Sequence, residues 1–265
     1  MPDRGSPQLP ERFVKFLGTA GARFVVACQL RSSAGLWLRM GGVNVMIDPG
    51  PGTLARCWAS RPKMDPAKLD ALVLTHHHID HANDATVIIE AMTNGGHQPR
   101  GLLLAPAEAY EVGCPLCPYA QDLPDRRETL SEGSEHTLGE LTIRAVVRLN
   151  HSVETYALVF SDADGTVGLV ADTRYFDGLA ERVAGCDLLI VNVVLYDDAG
   201  RGILHLDVPA AQRLIAEARP ARAIITHFGM TMLRNKPWEI AQAMTEATGV
   251  PITAASDGML VDLSP

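Results

Sequence analysis

No run in this chain is long and apolar enough for a transmembrane helix, and the opening Met1-Pro2-Asp3-Arg4-Gly5-Ser6-Pro7 contains no signal-peptide core. The expectation is therefore a cytoplasmic protein with no membrane partner and a flexible polar N-terminal tail over residues 1–11. Basic clusters are also missing. The formal net charge is −8, and Arg126-Arg127, Arg219 and Arg222 read as solvated residues, so no broad nucleic-acid surface is expected. The five cysteines form no repeated motif. Cys114-Pro115-Leu116-Cys117 has the spacing of half a zinc site or a redox pair, but no second such pair completes four ligands. Cys28, Cys57 and Cys186 stand alone, and buried thiols or a reduced loop pair account for all five. There is no low-complexity run beyond the tail and no composition break, so residues 12–265 are expected to form one domain.

The informative segment is Thr75-His76-His77-His78-Ile79-Asp80-His81, directly after the apolar run Ala71-Leu72-Val73-Leu74. In extended chain residues i and i+2 point the same way, so His76 and His78 can converge on one metal while His77 faces away. Asp80 and His81 enter a helical stretch, Asp80 to Met92, and can bring a carboxylate and an imidazole to a second metal about 3.5–4 Å from the first. A solvated histidine-rich loop is the plain alternative. Three further residues weigh against it: His151 follows the strand pattern 141–149, Asp172 ends the run 167–171, and His227 ends Ala223-Ile224-Ile225-Thr226. Strand ends are where an α/β scaffold exposes its functional side chains.

Strand-like runs fall at 13–17, 36–40, 43–47, 72–74 and 102–104, with helical stretches near 53–59 and 80–92. A second half repeats the alternation, with strands at 141–149, 155–160, 166–171, 187–191 and 222–226 and helices near 178–184, 207–218 and 237–247. In the helix 207–218, Asp207 can cap, Pro209 suits the first turn, and Val208, Ala211, Leu214, Ile215 and Ala218 make one apolar face. Two halves of about 12–145 and the remainder, each a sheet with outer helices, give an α/β fold of the αβ/βα sandwich type with its site at one edge. Residues 105–136 are the least periodic and form a candidate lid or subunit contact, compatible with a homodimer.

The ordered set of motifs resembles the metallo-β-lactamase superfamily over nearly the whole chain, from Val14 to Leu263. Ile47-Asp48-Pro49-Gly50 corresponds to the family's first aspartate motif, followed by residues 76–81, His151, Asp172 and His227. The resemblance implies His76, His78 and His151 on one metal, Asp80, His81 and His227 on the other, and Asp172 bridging them. Imidazole and carboxylate suit Zn²⁺, and also Mn²⁺ or Fe. Two such cations depress the pKa of a bridging water and polarise a substrate oxygen, so hydrolysis by a binuclear centre is the expected reaction. Asp48 is either a residue that orients a ligand or simply a turn residue before Pro49-Gly50.

Within that family, Phe16-Leu17-Gly18-Thr19-Ala20-Gly21-Ala22-Arg23 resembles the start of the tRNase Z and cyclic phosphodiesterase branch. Leu204-His205-Leu206-Asp207 resembles the place where that branch carries an extra histidine. Asp80 and His205 are accordingly the catalytic candidates, with His205 donating a proton to a leaving alkoxide or, alternatively, only packing at a helix entrance. Neither the long Gly/Pro-rich arm that the resemblance would imply for tRNA docking nor a basic surface is present, so a small phosphodiester or organophosphate ester is expected rather than tRNA. A thioester, lactone or β-lactam hydrolase remains the enzymatic alternative, and an iron-binding redox or sensor protein the non-hydrolytic one.

Overall fold

A computed structural model of the protein describes residues 9–111 and 113–264. Strands β1 (Phe13–Phe16), β2 (Leu36–Met40), β3 (Val43–Ile47), β4 (Ala71–Val73), β5 (Leu102–Pro106) and β6 (Arg126–Leu130) come first. They are followed by β7 (Glu135–Leu138), β8 (Leu141–Arg148), β9 (Tyr156–Asp162), β10 (Gly165–Val170), β11 (Leu188–Asn192), β12 (Arg222–Thr226), β13 (Ile252–Ala254) and β14 (Leu260–Asp262). The α-helices are α1 (Ala22–Ala27), α2 (Thr53–Ala59), α3 (Ile79–Ala82), α4 (Ala85–Met92), α5 (Leu179–Arg182), α6 (Val208–Ala218), α7 (Met230–Arg234) and α8 (Pro237–Thr248).

The strands make two seven-stranded sheets, β14-β1-β2-β3-β4-β5-β6 and β13-β12-β11-β10-β9-β8-β7. The first is antiparallel from β14 to β3 and parallel from β3 to β6. The second is parallel from β13 to β10 and antiparallel from β10 to β7. Alternation along each strand assigns the layers. Val73 and Leu104 meet Leu158, Leu169 and Ile190 between the sheets. Leu72, Leu74 and Leu103 point the other way, onto Ile88 and Ile89 of α4. In the second sheet Leu189, Val191 and Ile225 pack under Leu214 and Ile215 of α6 and Met244 of α8. Strands buried on both faces need the continuous apolar runs seen in the sequence. The result is the expected αβ/βα sandwich.

Departures from the sequence reading are local. The halves divide between β6 and β7 rather than near residue 145, and β14 returns from the chain's end to pair with β1. The expected helix 80–92 is two helices, because Asp84 turns out of the first. Its N–H donates to the Pro49 carbonyl and its carboxylate accepts from the Leu54 N–H of α2. The segment 105–136, read as irregular, contains edge strand β6 and two 3₁₀ turns, 107–110 and 118–122. Ala109, Leu116 and Ala120 are buried in the core beneath α4. Of the tail expected over 1–11, residues 1–8 lie outside those described, and Leu9 packs against that same core.

Candidate metal centre

Strands β4, β8, β10 and β12 end at one edge of the sandwich, and the segments that follow them carry the histidines and aspartates. After β4 the chain bends at Thr75 and is extended at His78, which has φ −58° and ψ 148° and stands immediately before α3. His76 and His78 come to one side. Asp80 and His81 occupy the first turn of α3, whose approach is close: a Cβ on Gly50 would lie 2.0 Å from the Asp80 carbonyl oxygen. Only glycine permits the Asp48-Pro49-Gly50 turn to sit there. His151 follows β8, Asp172 follows β10, and His227 follows β12, as expected.

These residues converge into two groups. His76, His78 and His151 offer ring nitrogens within 4.8 Å of one another, and so do Asp80, His81 and His227 with one carboxylate oxygen. Nδ1 of His78 lies 3.2 Å from Nε2 of His151, and Nε2 of His81 lies 3.1 Å from Nε2 of His227. Oδ2 of Asp172 is 3.5 Å from Nε2 of both His81 and His227. His205 stands near this carboxylate without a hydrogen bond to it, with Nδ1 3.5 Å from Oδ2. His77 turns away, its Nδ1 3.6 Å from the Cys114 sulfur.

The hydrogen bonds fix which ring nitrogens face inward. The Thr75 hydroxyl donates its one proton to Asp48 Oδ2 at 2.7 Å, so it accepts from Nδ1–H of His76 at 3.0 Å. Nε2 of His76 is left as a bare lone pair, fully buried and without a hydrogen-bond partner. Asp48 Oδ2 also accepts from Nδ1 of His81 at 3.0 Å, and its Oδ1 accepts from the Thr75 N–H. The Leu204 carbonyl holds Nδ1 of His151 at 2.9 Å. Asp48 is therefore more than a turn residue. Its backbone, at φ +49°, is left-handed, as is that of His227 at φ +62°, a form of strain that collects at functional sites.

A buried imidazole with an unpartnered lone pair is unfavourable unless something binds it. The donor set at this edge fits divalent cations: nitrogen and carboxylate ligands, oriented from behind by hydrogen bonds. The electrostatics agree. Burial pushes His76 well below the ordinary histidine value, and burial with the nearby His151 takes His78 down to about 4, so both rings favour the neutral form that a metal ligand needs. Burial alone would also lower His81, but Asp172, Asp48 and Asp80 raise it well above the ordinary value. Asp172 is held ionised against its burial by His227, His205 and His81. Carboxylates that would hold an extra proton on His81 also attract a metal cation.

Asn192 was not anticipated. Its Nδ2 donates to Asp172 Oδ1 at 2.9 Å, leaving Oδ2 toward the histidines. Its place at the end of β11, between strands that are followed by Asp172 and His227, was the available signal.

The sandwich and this ligand set together define a metallo-hydrolase class whose fold holds divalent metal ions. The chain belongs to the metallo-β-lactamase superfamily: the family model for the β-lactamase superfamily domain matches residues 43–228. A relative from Methanocaldococcus jannaschii, protein MJ1374, is 28% identical over 255 residues, 94% of each chain. The crystal structure of the metallo-β-lactamase fold protein YhfI from Bacillus subtilis superposes with a TM-score of 0.75 at 21% identity, covering 94% of this chain and 98% of that one. A diphosphatase from the PhnP family gives a TM-score of 0.70 at 16% identity, covering 96% and 98%.

Proposed function

We propose that the protein is a binuclear metal-dependent phosphodiesterase acting on small phosphoesters. In this reading His76, His78 and His151 hold one cation and Asp80, His81 and His227 the other, with Asp172 serving both. Zinc is the metal best matched to these donors, and manganese or iron would also fit. Once bound, the two cations supply a water of lowered pKa and charge stabilisation for the phosphoryl oxygens. The protein's own part is positional. Thr75 and Asp48 aim His76 and His81, the Leu204 carbonyl aims His151, and Asn192 steers Asp172. Rigid orientation of this kind removes reorganisation from the reaction.

The observation that carries the phosphoester reading is His205. It lines the cavity over the metal ligands, its ring centroid 5.1 Å from that of His151, and its buried Nδ1 has no hydrogen-bond partner. Burial lowers its pKa, whereas Asp172 opposes this and favours the protonated form that a proton donor needs. A histidine here can protonate a departing alkoxide, the step that an alkyl phosphodiester needs most. The likeness to a PhnP-family diphosphatase supports the same reading. The test is kcat/KM for an aryl phosphodiester, a β-lactam and a glutathione thioester on one metal-loaded preparation. The phosphodiester should be fastest; a thioester or lactam ahead by more than about tenfold, roughly 1.4 kcal/mol of transition-state stabilisation, overturns the assignment.

A further inference from the structure

We propose that the substrate carries a bulky apolar substituent, an alkyl chain or aryl ring, seated in the cavity above the metal centre; this rests on the hydrolase reading of that centre. The cavity measures about 850 Å³, within the range of small-molecule sites and far more than a bare phosphate group fills. Its walls are mostly hydrocarbon: Phe24 from α1, Ile79 beside the ligands, Val194 after β11, Ile203 before α6, and Met230 at the start of α7. Two of these side chains stand in water, Phe24 at 74% and Ile79 at 60% of full exposure. Large apolar groups left exposed around a concave site are what a ligand with apolar surface covers on binding.

The walls are built and fixed. A Cβ on Gly21 would lie 2.1 Å from the His227 carbonyl oxygen, and the Gly21 N–H donates to the Phe228 carbonyl at 3.0 Å. The entry to α1, and with it Phe24, is thus set against a metal-ligand candidate. On the other side the Asp198 carboxylate accepts from the N–H groups of Gly202 and Ile203, at 2.7 and 3.1 Å, and this clasp holds Ile203 toward the cavity. Charge is arranged in the same sense. The only acids among the lining residues are Asp80, partly buried, and Asp172, buried, whereas Arg23 and Arg201 are exposed. A nucleotide or sugar ester would need partners for its hydroxyls and base edges. Apart from the metal centre, His205 and the two arginines, the wall side chains supply only Ser152 and Thr231. An anionic ester with an apolar tail satisfies both metal centre and walls.

Alkylphosphonates test this without turnover. Calorimetric titration of zinc-loaded protein should show hexylphosphonate binding about 30-fold tighter than methylphosphonate. That is roughly twofold for each of five methylenes, half of the fully buried value because the cavity is open on one side. Phe24→Ser and Ile203→Ser should each cut the ratio severalfold, whereas Trp58→Ser, an exposed aromatic on α2 outside the cavity, should leave it intact. Equal affinity for the two phosphonates overturns the proposal, and so does an unchanged ratio in both cavity variants. A parallel rate series with methyl, butyl and hexyl nitrophenyl phosphodiesters separates the two claims. Tighter binding of the longer phosphonate without phosphodiester hydrolysis supports the apolar site and removes the phosphoesterase reading. Hydrolysis indifferent to chain length, with no affinity difference, does the reverse.

Discussion

Asp48 touches no expected substrate atom, yet it accepts from the Thr75 N–H, the Thr75 hydroxyl and Nδ1 of His81. Asp48→Ala should therefore weaken metal binding by about 10- to 100-fold, the usual loss when a ligand's supporting partner is removed; competition with a chromophoric chelator measures it. Asp172→Ala should lower occupancy of both sites, while His77→Ala should retain metal, since that ring faces Cys114. Elemental analysis of the two variants side by side checks the contrast. His205 admits a sharper test, because nitrophenolate leaves without a proton and an alkoxide does not. His205→Ala should slow a dialkyl phosphodiester by on the order of 10²–10⁴ and scarcely change a nitrophenyl ester. Equal losses on both, with lower metal content, would make His205 a packing residue. The ligand candidates were legible because i, i+2 alternation and strand-end placement are local properties of the chain. Asn192, Thr75 and the Leu204 carbonyl were not, because a hydrogen-bond partner is chosen by tertiary approach. Asn192 meets Asp172 only once β10 and β11 lie side by side.

At the level of elements, Arg12, just before β1, reaches Asp162 at the end of β9 and so ties the first sheet to the second. Its Nε and Nη2 donate to the two carboxylate oxygens at 2.9 and 2.8 Å, and Asp162 also accepts from the Gly41 N–H. Burial would raise the Asp162 pKa, but these bonds hold it below the ordinary aspartate value. A carboxylate depressed in the folded state contributes stability above its unfolded pKa and loses it as pH falls through the folded one. Arg12→Met should thus destabilise by about 1–3 kcal/mol at neutral pH, as the partly buried Asp162 loses its guanidinium partner and keeps only backbone N–H donors. It should also flatten the acid limb of the stability curve below about pH 4. Urea titrations at pH 7 and pH 3 read both effects, and parallel losses at the two pH values would assign Arg12 to packing alone. Central strands were readable from their apolar runs, as in Leu102-Leu103-Leu104. Strand β6, Arg-Arg-Glu-Thr-Leu, was not, since an edge strand needs pairing on one side only and presents no periodic apolar face. Helix α1 was hidden for a related reason: at six residues, with Val25 its one buried side chain, it has no amphipathic pattern to detect.

For the whole molecule, the sandwich matters because it brings strand ends from both halves to one edge, so neither half alone holds a complete site. His76, His78, Asp80 and His81 come from the first half, and His151, Asp172, His205 and His227 from the second. No helix among the described residues is long and apolar enough to cross a membrane. The central claim is that two cations held across this junction make a hydrolytic centre. The direct test is to strip the protein of metal and titrate zinc back while following hydrolysis of an aryl phosphodiester. Activity should be absent at the start, rise with added metal and level off at two equivalents per chain. Full activity in the stripped protein, or a plateau at one equivalent, would contradict the account.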